Sequence, residues 1–224
     1  FLISLSASAQ QHKKKADKGQ RQENYYNPGY LRYTDYVYAE NITSVLLHRK
    51  GWELSPPIIL YGTEERLVLS FDDLKRDYTS WQYTVVHCDA DWNPTDLWKN
   101  EYIVGFTDAY IKDYRYSYNT LQPFVNYSLI LPNDDLSFTI SGNYILMVYP
   151  DGEADKPIIT RRFMVVEPGV TVRGEIKQAT PINLRFTHHE VRFSLFTTNY
   201  YIAEPYRDLK VVLRQNGRWD NAIW

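Results

Sequence analysis

From about position 36 onward, short apolar and β-branched runs alternate with clusters of Gly, Pro, Asn and Asp, and no stretch sustains a helical period. Tyr36 to Leu47 is β-rich around an interruption at Asn41. Pro56-Pro57 leads into Ile58-Ile59-Leu60-Tyr61, where proline suits a strand start or an edge. Arg66 to Phe71 alternates and stops at Asp72-Asp73, and Trp81 to Ala90 is the best central strand. Phe124 to Leu131, Tyr144 to Tyr149 and Ile158 to Val166 supply three more, ended by Pro132-Asn133-Asp134-Asp135 and Pro150-Asp151-Gly152. Strands this short, with turn signals this regular, predict an all-β protein built on an antiparallel immunoglobulin-like β-sandwich.

Beyond the hinge-like Glu167-Pro168-Gly169, three further runs (Val170 to Ile176, Glu190 to Thr197, Leu209 to Arg214) predict the beginning of a second β domain, since three strands are near the minimum for independent stability. At the other end, apolar Phe1 to Leu5 precedes Ala7-Ser8-Ala9 and Gln10, the small-x-small pattern of a signal-peptide cleavage site. The expected organisation is therefore the end of a signal peptide at 1–9, a flexible leader at 10–29, a β-sandwich at 30–168 and a truncated second β domain at 169–224. With 224 residues and about 150 per domain, the length also implies one domain and part of another. Cys88 is the only cysteine, so no lipid-anchored cysteine stands at the cleavage point. The strand period groups it with Thr84, Val86 and Ala90, opposite Val85, His87 and Asp89, as a small buried hydrophobe.

Composition narrows the function classes. A 44% hydrophobic share excludes a disordered chain, and 25 Lys and Arg against 27 Asp and Glu exclude the clustered basic charge that nucleic-acid binding needs. No run reaches the roughly 18 apolar residues of a membrane-spanning helix. Twenty Tyr and six Trp suggest strands with a recognition surface. Their concentration between Asp91 and Leu121, an expected irregular segment, makes Trp92, Trp98, Tyr102, Tyr110, Tyr114, Tyr116 and Tyr118 the candidate partner-binding residues.

Catalytic and metal chemistry find little support. Asp89, Asp91 and Asn93 reproduce the opening D-x-D-x-N of a calcium loop, but Pro94 stands where the loop needs Gly and the twelfth position falls on Asn100. A strand end whose carboxylate caps a turn is expected instead. His188 and His189 point to opposite faces if extended and lack further zinc ligands, so a surface turn is expected there. There is no G-x-S-x-G elbow or phosphate loop, and His87 beside Cys88 is a poor dyad for the same alternating geometry. The expectation is a non-enzymatic protein without a cofactor.

Five ordered blocks carry a family resemblance: His87-Cys88-Asp89-Ala90-Asp91-Trp92-Asn93-Pro94, Glu101-Tyr102-Ile103-Val104-Gly105-Phe106, Ser117-Tyr118-Asn119-Thr120, Ser141-Gly142-Asn143-Tyr144 and Thr160-Arg161-Arg162-Phe163. Together they resemble the N-terminal domain of the type IX secretion system plug proteins of Bacteroidetes, over about Tyr36 to Glu167. The resemblance implies a periplasmic protein that seals the periplasmic mouth of the outer-membrane translocon barrel, with that barrel as partner. It supplies no contact residues. A carbohydrate-binding module using exposed Trp92 or Trp98 is the competing expectation, and a structural accessory domain of a larger enzyme is a third.

Overall fold

The computed structural model describes residues 31–197 and 201–223. The expected signal-peptide end and leader, at 1–9 and 10–29, lie outside the described residues. The described chain divides into two compact units between Glu167 and Pro168.

The first unit is a two-layered all-β sandwich. Its larger sheet has the order β1(Tyr36–Val37), β12(Ile159–Val166), β11(Gly142–Pro150), β5(Trp81–Cys88), β7(Ala109–Tyr110), with β3(Ile58–Leu60) added in parallel to β12. The smaller sheet runs β2(Ile42–Arg49), β4(Leu67–Asp73), β9(Val125–Leu131), β8(Asp113–Tyr116), all antiparallel. Alternation is clearest in β4 and β9, where Leu67, Leu69 and Phe71 and Val125, Tyr127, Leu129 and Leu131 are buried while the residues between them are half-exposed. These side chains meet Trp81, Tyr83 and Val85 of β5 and Tyr144, Leu146 and Val148 of β11 in one core. Across the layers, the Trp81 ring sits 6.5 Å from Phe71 and 6.4 Å from Tyr127, edge to face in both cases.

β11 is buried on both faces, from Tyr144 through Tyr149, so the outer face of the larger sheet is also covered. Part of the cover is the segment expected to be irregular, and that expectation is corrected. Residues 91–121 contain a one-turn helix α1(Lys99–Tyr102), β6(Ile103–Gly105), β7 and β8, while β6 pairs with β10(Leu136–Phe138), a strand the hydrophobic pattern did not reveal. Each piece is two to four residues long, too short for a period to register. Between β7 and β8 the chain changes sheets, and Ile111, 1% exposed, fills the margin at the crossing.

The second unit contains an antiparallel pair, β13(Thr171–Gln178) and β14(His189–Phe196), and a one-turn helix α2(Pro205–Asp208). His189 opens β14, so the expected surface turn ends at His188. Leu209 to Arg214, expected as a strand, forms only a bridge between Leu213 and Ile223. Asn216 and Gly217 both adopt positive φ, 55° and 72°, so the chain turns back at once and finds one residue to pair.

Candidate functional site

The His87–Pro94 block is a turn tied down from within. The Asp89 carboxylate accepts from the backbone N–H of Asp91 (2.8 Å) and of Asn93 (2.9 Å) and from the Asn93 side-chain amide (3.2 Å). The Asp89 N–H in turn donates to the Asn93 carbonyl at 2.8 Å. Its Oδ1 is thus spent on two backbone donors and its Oδ2 on the Asn93 amide, in the capping role expected from the sequence. The turn sets Trp92 in a left-handed conformation (φ 65°) and folds its ring inward to 2% exposure, where the Arg162 guanidinium lies 4.5 Å from the ring centre. Arg162 also donates from Nε to the Tyr33 carbonyl at 2.8 Å.

Cys88 is buried as expected, at 2% exposure, and burial pushes its thiol pKa up to about 12. His87 donates or accepts through Nδ1 with the Thr95 hydroxyl at 2.9 Å, and burial holds its pKa below the ordinary value. Its ring stands edge-on to Tyr144 at 5.1 Å and tilted against Tyr102 at 5.7 Å.

The blocks separated in sequence are neighbours in space. Register pairs Asn143 with Cys88 and Tyr144 with His87 on one side of β11, and Tyr144 with Phe163 on the other. The Asn143 amide donates to the Asp89 carbonyl at 2.9 Å, and Tyr144 stacks on Phe163 at 5.3 Å. Gly142, at φ +153°, is needed because a Cβ there would overlap the His87 Nε2. Gly105, at φ +105°, is needed because a Cβ would overlap the Asp135 carbonyl. Ser117 is the hinge of the third block: its hydroxyl accepts from the Phe124 N–H at 2.9 Å, and Asn119 takes positive φ, so Ser117-Tyr118-Asn119-Thr120 begins the β8–β9 connection.

A second polar group closes the β5 edge. Asp108 accepts from Tyr149 and from Thr107, and Lys99 reaches both Asp108 (3.3 Å) and the Thr84 hydroxyl (3.0 Å). Burial alone would raise the Asp108 pKa, but the hydrogen bonds from Tyr149 and Thr107 and the Lys99 charge outweigh it, and the carboxyl lies below its ordinary value. The same burial, reinforced by Asp108, drives the Tyr149 phenol up. Among the described residues no group of three His, Cys, Asp or Glu is arranged to hold a metal.

Of the seven sequence-predicted contact residues, the structure takes two inside. Trp92 packs under Arg162, and Tyr102, 4% exposed, donates to the Val85 carbonyl at 3.3 Å. They are corrected to fold residues, because the turn at 89–93 and the helix α1 aim their rings inward. Tyr110 is exposed but bonded to Asp151 at 2.9 Å. Tyr114 and Tyr116 form a ladder at the sheet margin, with Tyr78 4.7 Å from Tyr114 and Tyr116 5.7 Å from it. Trp98 and Tyr118, 78% and 94% exposed, have no ring contact among the described residues. Val104 and Phe106, 59% and 64% exposed, were missed, although strand alternation around the inward Ile103 offered a signal for Val104.

The first unit is thus an all-β sandwich whose shared blocks chiefly lock the fold and leave a few aromatic side chains outside. Over residues 42–167 the chain matches the family described as Type 9 secretion system plug protein 1st domain, and it belongs to that family. It is also similar to a crystal structure of a hypothetical protein from Parabacteroides merdae ATCC 43184, at 37% identity and a TM-score of 0.82, over 86% of this chain and 49% of that one. The chain therefore spans about half the length of that relative. No curated protein matches it.

Proposed function

We propose that this chain is a non-enzymatic periplasmic component of the type IX secretion system that plugs the periplasmic opening of the outer-membrane translocon barrel. Membership of the plug family is the observation that carries this reading. The geometry supports it in a subsidiary way. Residues of the shared blocks such as His87, Asp89, Gly105, Ser117, Gly142 and Arg162 have evident work in the fold, whereas the side chains of Val104, Phe106 and Tyr118 in those blocks are exposed, as is the Trp98 ring. Exposed aromatic side chains of this kind form the anchors of protein interfaces. The carbohydrate reading loses one of its two platforms, since Trp92 is buried.

Affinity purification of the intact protein from its cell envelope tests the proposal. Recovery of the giant barrel, lost on combined Trp98→Ala and Tyr118→Ala substitution, supports it, as does leakage of medium-sized solutes through the outer membrane of a deletion strain. Polysaccharide binding with no barrel recovered, or a deletion strain as impermeable as its parent, overturns it.

A further inference from the structure

β8 is an edge strand. It pairs with β9 alone, and among the described residues no strand lies on its other side. The ladder fixes which backbone groups face that open side. The Ser117 N–H donates to the Phe124 carbonyl, making 117 and 124 a hydrogen-bonded pair. By the alternation of an antiparallel ladder, Arg115–Asn126 and Asp113–Ser128 are the next such pairs, while the N–H and C=O groups of Tyr114 and Tyr116 point outward.

The side chains divide the same way. Tyr114 and Tyr116 lie on the inner face at the margin of the core, with Tyr114 opposite the buried Tyr127 and beside Tyr78. Asp113 and Arg115 lie on the solvent face, both exposed, and neither makes an ion pair or side-chain hydrogen bond among the described residues. The other edge of this sheet, β2, is broken by a register shift between Thr43 and Leu46 and a positive φ at Ser44, which are devices that discourage pairing. β8 has no bulge and no proline; its only guards are one acid and one base.

We infer that β8 pairs with the β8 of a second copy of this chain, antiparallel about a two-fold axis at Tyr114. The outward groups sit on even-numbered residues, and an antiparallel two-fold pairing joins them whether its axis passes through an even or an odd residue, so the side chains choose the register. Centring on Tyr114 places Asp113 opposite Arg115 of the other copy, twice, in the non-hydrogen-bonded positions where side chains come closest. Centring on Lys112 sets lysine against lysine, and centring on Tyr116 leaves Arg115 opposite Ser117. Centring on Asp113 or Arg115 keeps the hydrogen-bond pattern but sets like charges face to face. One register therefore satisfies backbone, charge and symmetry together, and it brings the Tyr78, Tyr114 and Tyr116 rings of both copies into one aromatic seam. The formal net charge of -2 does little to hold two copies apart. This pairing does not depend on the plug reading, and it leaves Trp98 and Tyr118 outside the seam.

Sedimentation of the purified full chain over a range of concentrations tests it. Reversible dimerisation is expected, weakened by salt. Arg115→Asp, which sets acid against acid twice, is expected to raise the dimer dissociation constant about tenfold or more. The double reversal Asp113→Arg with Arg115→Asp is expected to restore it. Both positions are on the surface, so thermal melting should show the variants folded. Tyr114→Cys gives a second readout, because residues in a hydrogen-bonded pair have Cα atoms about 5.5 Å apart, within disulfide range. That variant should crosslink under mild oxidation and Tyr118→Cys should not. A chain monomeric at every concentration overturns the inference, as does a dimer indifferent to Arg115→Asp. Protection of β8 amides only when another protein is added would likewise show that a second copy is the wrong occupant.

Discussion

At the scale of single residues, Gly142 against His87 is one of two close glycine contacts in the sandwich, beside Gly105 against the Asp135 carbonyl. Gly142→Ala must push its Cβ against a half-buried imidazole from a backbone angle that L side chains rarely adopt. A loss of about 2–4 kcal/mol is expected from a urea titration, and His87→Ala should relieve the steric share when the two changes are combined. His87 also imposes an acid limit. Its folded pKa is lowered by burial, so as pH falls through the ordinary imidazole value near 6.5 the unfolded chain takes up a proton that the folded chain refuses. Stability contributed at neutral pH is lost over that window, and the pH dependence of the urea midpoint should flatten there in His87→Gln. Asp108 acts differently, as a hub for Tyr149, Thr107 and Lys99. Asp108→Asn keeps the shape but removes the charge Lys99 faces, and should cost about 2 kcal/mol by the same titration.

At the scale of elements, legibility followed length. β4 and β9 alternate over seven residues each, and β11 is nine residues long, so the hydrophobic pattern located them and the sandwich they build. β6, β7, β8 and β10 are two to four residues long and take their identity from partners such as Gly105 opposite Leu136 and Tyr110 opposite Gln82, which no local pattern announces. In β5 the expected grouping of alternate residues held, with Cys88 buried, but both faces proved covered, because part of the 91–121 segment, through Lys99 and Thr107 on Thr84 and Asp108 on Tyr149, overlies the side a simple sandwich would leave wet. The candidate surface was half legible for the same reason. Composition marked the segment, but only the turn at Asp89 and the helix α1 decide that Trp92 and Tyr102 face in while Trp98 and Tyr118 face out. The β8–β9 connection depends on one hydroxyl, so Ser117→Ala should cost about 1 kcal/mol, measured as a lowered melting temperature, and should loosen the amides of Phe124 and Ser117 in hydrogen exchange.

At the scale of the whole molecule, the first unit buries several ionisable groups in the neutral form. Tyr83, Tyr102, Tyr127, Tyr144 and Tyr149 all have pKa values above the ordinary 10.0, in each case first through burial, and Cys88 is raised to about 12 from 9.0. Each group stays protonated in the folded state at a pH where the unfolded chain has released its proton. The unfolded state then binds fewer protons, so stability falls as pH rises, beginning near 9 with the thiol and steepening past 10 as the phenols join. Alkaline titration should therefore unfold the first unit cooperatively. Cys88 reports on that event directly: a thiol reagent should label it slowly in the native protein, both because it is 2% exposed and because burial holds its pKa up at about 12, which leaves it far less thiolate than an open cysteine carries. Labelling should accelerate in step with the loss of tertiary circular dichroism as pH rises. Fast labelling at neutral pH, or a labelling rate that climbs well before the tertiary signal falls, would mean that the sheet around β5 opens on its own and does not share the stability of the sandwich.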